Sequence, residues 1–344
     1  MNKTVIVTNS ISGGGAERSM NLLANALFER GESVSLIAIN KSGPDAVHLK
    51  CPVIEINRVW NGSLLNTINS WLKFQKTLIE LDADTLILNC DLPEFYGALS
   101  ITRSKIICIE HSNNPWYTRA KLGKIVRKIL AVKKVTWVTV SDLFKIWPSG
   151  NYPKAVILNP IWQEQENLKN YLGPIKRLVF IGRLAFEKNP KVFLDISKET
   201  NIPALMLGAG PESSQIEKLI QSNKINVELK GFVQNPWEFL TNGDLLLVPS
   251  RWEGDGLVVL EGLQRKVPMI ITSIDEFKRF QLPDINYATD AHDFVRLIEA
   301  NLDRCEVFKV NSEAVKQILD DRNPQVICTQ WVSLINSLTS ARII

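Results

Sequence analysis

Long hydrophobic runs are absent from this sequence. The longest, such as Leu245–Val248 and Met269–Ile271, fall far short of the roughly 20 apolar residues that a bilayer-spanning helix needs. The opening MNKTVIVTNS has one lysine and then a strand-like run, without the apolar region and small-residue cleavage site of a secretory signal. A cytoplasmic chain is the expectation. Cysteine is sparse: five residues, at 51, 90, 108, 305 and 328, with no CxxC spacing. That pattern excludes a disulfide framework and a zinc site and reads as reduced thiols. Histidine is scarcer, three residues in 344. Low-complexity tracts, short internal repeats and a phosphate-loop Gly-Lys-Ser/Thr are missing as well.

What remains is ordinary soluble composition, 45% apolar and 22% charged, in a chain long enough to favour two domains over one. The net charge of +4 hides an asymmetry. Through residue 165 there are 19 Lys+Arg against 13 Asp+Glu (+6), and beyond it 21 against 23 (−2). The first half is the basic half, which bears on partners and not on fold.

Short apolar runs alternate with amphipathic stretches. KTVIVTN (3–9) reads as a buried strand, and AERSMNLLANALFERG (16–31) as a helix with Met20, Leu23 and Leu27 on one side and Gly31 as its stop. SVSLIAI (33–39), TLILN (85–89), IICIE (106–110) and TWVTV (136–140) are further strands with helical stretches between them. After a polar, Pro/Gly-bounded connection the pattern restarts with RLVFIG (177–182), ALMLG (204–208), VELKG (227–231), LLLVPS (245–250) and PMIITS (268–273). Strand and helix in alternation predict parallel sheets. The expectation is an α/β chain of two doubly wound, Rossmann-like domains facing across a cleft: 1–162, a linker at 163–176, and 177–324. A last helix from about 325 to 344 ends the chain.

In such sheets ligands collect at the carboxyl ends of the strands, so the chemistry belongs in the loops that follow them. SISGGGAER, after the first strand, leaves bare backbone N–H groups ahead of a helix. It reads either as a tight turn or as an anion cradle. A dinucleotide fingerprint fails because Arg18 stands at its third glycine, and Asn40-Lys41 stands where an acid would close the second strand. His111, in IEHSNNPW, leaves the strand at 106–110; it is a structural histidine or a site residue. In IGRLAFEKN, Gly182 ends a strand and Arg183 and Lys188 follow, a fork and a point charge suited to a diphosphate. In SRWEGDGLVVLEG (250–262), Glu253 and Glu261 flank Gly254, Asp255 and Gly256, with a helix from Leu257. Its first N–H groups point back at the loop. A carboxylate at Glu261 can take both hydroxyls of a ribose, and Glu253 those of a second polyol. Ribose, diphosphate and sugar in that order describe a sugar nucleotide. DAD at 82–84 has the spacing of a metal-binding motif, but it lies at a strand's start and reads as a surface turn.

Glu253 and Glu261, seven residues between them, resemble the E-x7-E motif of the retaining GT4 glycosyltransferases with the GT-B fold, the type found in bacterial polysaccharide biosynthesis. GGGAER, EHSNN, VSDLF (140–144), VILNPI (156–161), GRLAFEKN, LGAGPE (207–212) and LKGFVQN (229–235) resemble that family's landmarks in order. The resemblance implies roles. Arg183 and Lys188 would hold the donor diphosphate, Glu261 the ribose, and Glu253 with the main chain of Gly256 and Leu257 the donor sugar. His111 would face the transferred sugar from the first domain. Gly14 and Gly15 would approach phosphate and acceptor, Phe232 and Val233 would border the base, and the last helix would pack back on the first domain. Attack on the same face of the sugar, with the phosphate taking the acceptor's proton, needs no cofactor, no metal and no nucleophilic Glu253.

Two departures stand out. Asp255 occupies a position that is often aromatic in the family, and it would bring an acid near the donor sugar. After PMIITS the usual glycine pair and glutamate are replaced by IDEFKRFQ. Finally, Trp116–Lys134 carries seven Lys/Arg and no acid, with Leu122, Ile125, Val126, Ile129 and Leu130 on one apolar face. Its basic side would attract anionic lipid; no nucleic-acid motif accompanies it. The expected function is transfer from an NDP-sugar, UDP-linked by family habit, to a glycan or undecaprenyl-type lipid-linked glycan in lipopolysaccharide or capsule assembly, by an enzyme peripheral to the inner membrane face. A sugar-nucleotide epimerase and a silent sugar-nucleotide-binding module are the alternatives.

Overall fold

The computed structural model describes residues 2–42, 49–59, 63–144, 154–161, 171–310 and 313–340. His48 and residues 163–170 of the expected linker lie outside them. The chain divides into two compact units, 1–162 with 321–344, and 163–320.

The first unit contains β1 (Thr4–Thr8), α1 (Gly15–Glu29), β2 (Val34–Asn40), β3 (Val53–Arg58), α2 (Leu64–Leu81), β4 (Thr85–Asn89), α3 (Asp91–Leu99), β5 (Lys105–Glu110), α4 (Ala120–Val132), β6 (Thr136–Thr139) and β7 (Lys154–Val156). The second contains β8 (Arg177–Ile181), α5 (Pro190–Thr200), β9 (Ala204–Leu207), α6 (Ser213–Asn223), β10 (Val227–Gly231), β11 (Asp244–Val248), α7 (Leu257–Gln264), β12 (Met269–Thr272), α8 (Asp275–Lys278), β13 (Tyr287–Ala288), α9 (Ala291–Glu299) and α10 (Glu313–Asp320). The last helix, α11 (Pro324–Ser340), belongs to the first unit. Residues 171–176, expected in the linker, are folded into the second unit: Tyr171 and Ile175 are buried, and Ile175 N–H donates to Leu302 O at 2.7 Å.

Both sheets are parallel throughout, with strand orders β3-β2-β1-β4-β5-β6-β7 and β10-β9-β8-β11-β12-β13. The order reverses between β1 and β4 in one and between β8 and β11 in the other. A helix layer covers each face of the first sheet. On one side Met20, Leu23 and Leu27 of α1 meet Ile327, Trp331 and Ile335 of α11; on the other Phe74, Tyr96, Val126 and Leu130 of α2, α3 and α4 cover the sheet. Burial on both faces is why β1, β4 and β11 read as unbroken apolar runs and not as alternating ones. The DAD turn is structural: Asp82 caps α2 in the left-handed region (φ 44°), and Asp84 accepts from Lys3 N–H at 3.0 Å.

The basic stretch 116–134 splits between inside and outside. Arg127 is buried and bridges two carboxylates, Glu94 of α3 at 2.8 Å and Glu110 at the end of β5 at 2.6 Å. Trp116 Nε1 also donates to Glu94, at 2.7 Å. The guanidinium lies 4.7 Å from the Trp137 ring centroid. Lys133 turns inward onto the carbonyls of Gly97 and Ser100. Seven basic residues therefore do not make seven surface charges. Ile125, expected on the apolar face, is exposed; Val126 and Leu130 do the covering. The helical wheel places Ile125 at the rim of that face, too far round to reach the sheet.

Two carboxyls and one guanidinium cannot all be charged at low cost in a buried space. Burial pushes the Glu110 carboxyl up to about 8, against the opposing pull of Arg127, and Glu94 is raised by the same cause. A carboxyl raised in the folded state adds stability that is complete below its ordinary range near 4.5 and is lost as pH climbs through about 8. Urea denaturation should show stability falling over that window. Glu110→Gln should flatten the slope, whereas Arg127→Leu, which leaves two carboxyls without their cation, should lose about 3–5 kcal/mol.

Candidate functional site

The second unit concentrates the predicted residues at its strand-order reversal. β8 exits through Gly182 into Arg183. A single 3-10 turn, Phe186–Lys188, leads to Asn189 in the left-handed region and Pro190 at the first position of α5, the position where proline's fixed φ suits a helix start. The neighbouring exit, from β9, leaves no room for a side chain. A Cβ on Gly208 would sit 1.8 Å from the Gly182 carbonyl oxygen.

β11 delivers Ser250, Arg251 and Glu253. Glu253 is buried, and each of its oxygens is engaged. Lys188 Nζ pairs with Oε2, and Ser250 Oγ donates to Oε1 at 2.7 Å. The two exits are also joined through Arg251, whose N–H donates to Glu187 O at 2.8 Å and whose guanidinium lies 4.4 Å from the Phe186 ring centroid and 3.0 Å from Asn189 Oδ1. Lys188 is thus shared: one ammonium donor goes to Glu253 and the remaining hydrogens stay available to a phosphate oxygen. Arg183 is exposed, and among the described residues its side chain makes no hydrogen bond or ion pair.

Gly256 caps α7 at φ +66°, and a Cβ there would stand 2.7 Å from Phe277 Cε1, so both backbone and space demand glycine. The main-chain N–H groups of Leu257 and Val258 have no hydrogen bond among the described residues, as the first turn of a helix dictates. They form a donor pair suited to an anion. Glu261, one turn further, is buried, and its Oε2 accepts from Trp237 Nε1 at 2.7 Å. The Arg265 guanidinium lies 4.7 Å from the Trp237 ring centroid. Glu253 and Glu261 are thus engaged differently, Glu253 by Lys188 and Ser250 and Glu261 by Trp237. Phe232, half-exposed, and Val233 follow β10 past Gly231.

Asp255 has a partner that its sequence neighbourhood does not show. Its carboxylate is buried against Arg279, which donates to its Oδ1 at 2.6 Å and to its main-chain O at 2.7 Å. Arg279 lies in IDEFKRFQ, just past α8. The carboxylate expected near the donor sugar is ion-paired with Arg279.

In the first unit, Gly14 caps α1 and Gly15 begins it, at the exit of β1 and at the strand-order reversal. Glu17 folds back over this turn, accepting from Asn9 Nδ2 at 2.9 Å, with its Cγ 2.8 Å from where a Gly13 Cβ would stand. The protein's own carboxylate lies at this helix start, so an incoming anion meets it there. His111, partly buried, follows directly on Glu110 of the buried triad. Sequence reasoning missed Ser250, Trp237, Glu17 and Arg279. It also missed Cys90, which stands at φ 73° where β4 ends. The signal for Ser250 and Cys90 was available, since each lies within two residues of a strand's carboxyl end.

Residues 163–285 match the family described as "Glycosyl transferases group 1". The chain is 26% identical, over 79% of its length and 80% of the relative, to a Campylobacter jejuni α-1,4-N-acetyl-D-galactosaminyltransferase named for a diNAcBac-PP-undecaprenol-linked acceptor. In fold it is similar to Anabaena HepE in complex with UDP and glucose, with a TM-score of 0.77 at 14% identity, covering 98% of this chain and all of that one. It is also similar to a Staphylococcus aureus TarM variant in complex with Fondaparinux, alpha-GlcNAc-glycerol and UDP, with a TM-score of 0.74 at 13% identity over 98% of this chain and all of TarM. The likeness to the group 1 glycosyl transferases thus covers residues 163–285, and the GT-B fold is shared along nearly the whole chain.

Proposed function

We propose that the protein is a retaining, metal-independent glycosyltransferase of the GT4 type, moving a sugar from a UDP-sugar to a glycan or undecaprenyl-type lipid-linked glycan during lipopolysaccharide or capsule assembly. The observation that carries the reading is the Lys188–Glu253 pair at the β8/β11 reversal, with Glu261 and the open N–H groups of α7 beside it. UDP as carrier is supported by the UDP in the HepE and TarM complexes. The lipid-linked acceptor is supported by the name of the Campylobacter relative.

In this reading Glu261 binds the ribose hydroxyls. Arg183, the free donors of Lys188 and the N–H groups of Leu257 and Val258 take the diphosphate. Breaking the bond between the anomeric carbon and phosphate leaves charge on that diphosphate, and fixed cations and N–H groups stabilise it without reorganising. Glu253, with Ser250 and Lys188 fixing both its oxygens, orients a sugar hydroxyl. The same engagement makes it a poor nucleophile. The departing phosphate oxygen receives the acceptor's proton, so no side-chain base is required. For His111 the resemblance implies a place facing the transferred sugar, and for Gly14 and Gly15 an approach to phosphate and acceptor. Among the described residues no helix is long and apolar enough to cross a membrane. Lys121, Lys124 and Lys128, exposed on α4, supply attraction to an anionic inner membrane face.

The test is a nucleotide-release screen over activated sugars, each with and without a lipid-linked acceptor. Release that requires acceptor supports transfer, whereas conversion of the donor alone points to an epimerase, and no turnover of any donor leaves only a binding module. Glu253→Gln and Lys188→Met should each lower kcat by about 10²–10³. The double variant Lys188→Met/Glu253→Gln should regain the stability lost in Lys188→Met, because no buried charge is left unpaired, yet stay inactive; both readouts come from parallel melting and turnover measurements. Arg279→Ala, which frees Asp255 behind the donor loop, should raise the donor KM about tenfold. Its affinity for UDP should fall in parallel, as isothermal titration would show, because the freed carboxylate repels the diphosphate.

A further inference from the structure

The outward side of α2 is unusually apolar. Leu64, Leu65, Ile68, Leu72 and Ile79 are between 43% and 74% exposed, and at about 100° per residue they fall within an arc of roughly 100°. The residues that α2 buries, Ser70, Phe74, Thr77 and Leu78, lie on another side of the helix. A helix needs one apolar stripe to cover a sheet; this one has a second that covers nothing among the described residues.

α2 is tied to α3 by a 2.6 Å hydrogen bond between Ser70 Oγ and Tyr96 Oη and by an edge-on Phe74–Tyr96 contact at 5.4 Å. α3 is tied to α4 through Glu94 and Arg127. The three helices therefore form one layer, and α4 adds Ile125 and Val132 to the exposed apolar surface beside Lys121, Lys124 and Lys128. The exposed acid of α2, Glu80, pairs with Lys76 at 3.7 Å, and α4 carries none. Aliphatic side chains beside unopposed lysines match a bilayer whose headgroups are anionic. A symmetric dimer through this layer fits less well, because an isologous contact would bring the lysines of both copies into one interface with no acid on α4 to face them.

We propose that α2 is the membrane-inserting element of this protein, with Leu64, Leu65, Ile68 and Leu72 entering the acyl boundary while the α4 lysines meet the headgroups. This extends the membrane part of the reading above and rests on it, from an electrostatic contact to one anchored by apolar burial. The experiment is co-sedimentation with vesicles of phosphatidylcholine containing phosphatidylglycerol, and of phosphatidylcholine alone, at low and high salt. The intact chain should bind the anionic vesicles and keep part of that binding in high salt. Leu64→Ser/Ile68→Ser/Leu72→Ser should bind about tenfold more weakly and become fully salt-sensitive. Lys121→Gln/Lys124→Gln/Lys128→Gln should lose the salt-sensitive part instead. The serine positions are exposed and are none of the residues given a role in the proposed site, so nucleotide release with a soluble acceptor should be unchanged. Vesicle binding without nucleotide release would support this proposal while removing the transferase reading. Equal binding by the serine variant and the intact chain would overturn it. So would no binding by either, or a dimer-to-monomer change in light scattering with vesicle binding untouched.

Discussion

A buried carboxylate without a cation costs several kcal/mol, and Glu253, 5% exposed, avoids that cost through Lys188. This single pair organises the upper edge of the second unit. Its two members come from the exits of β8 and β11, neighbours on either side of the strand-order reversal. The pair therefore joins two loops whose helices leave in different directions. Arg251, linked to Glu187 O and Asn189, adds a second tie between the same loops. The result is a preformed rim in which charge, hydrogen bonds and the open start of α7 are fixed before any ligand arrives. Such pre-organisation is where electrostatic catalysis gains its advantage over water.

The first unit handles buried charge in a different stoichiometry. Glu253 and Lys188 balance one to one, whereas Arg127 faces two carboxyls. A balanced pair is disturbed only by another ion, such as a phosphate that shares the lysine. In the triad burial is what pushes the Glu110 carboxyl up to about 8, against the pull of Arg127 and with Glu94 adding to the rise. The residue after Glu110 is His111, so this proton-sensitive cluster anchors the strand end that presents the candidate histidine.

The parallel strands were legible because burial on both faces leaves unbroken apolar runs, as in TLILN and LLLVPS, and their helices because glycine and proline mark the ends. β3 was not, since VIEINR at the sheet edge mixes buried and exposed positions with charge. β7 and β13, three and two residues long, are too short for any pattern. At the site, residue types at strand exits pointed to Arg183, Lys188, Glu253 and Glu261 as a group. Sequence spacing could not show the partners of those residues. Ser250 for Glu253 and Trp237 for Glu261 sit 3 and 24 residues away, and only folding brings the second within reach. The basic stretch 116–134 misled in part for the same reason. Composition counts charges but cannot say that Arg127 turns inward to Glu94 and Glu110.

The two departures from the resembled family are one structural event. Asp255 replaces an often aromatic residue in the donor loop, and IDEFKRFQ replaces a glycine-containing turn after β12. In the sequence they are 24 positions apart and appear unrelated. In the fold Arg279, from the second, donates to both the side chain and the main chain of Asp255, from the first. Phe277 of the same segment fills the space that forces Gly256 to be glycine. An unpaired acid in this loop would put negative charge beside the open α7 N–H groups, whose helix start favours an anion. The arginine pairs with that acid and holds the turn through both the side chain and the main chain of Asp255. The pair is best understood as a replacement of an aromatic wall by an ionic one behind the same set of main-chain donors.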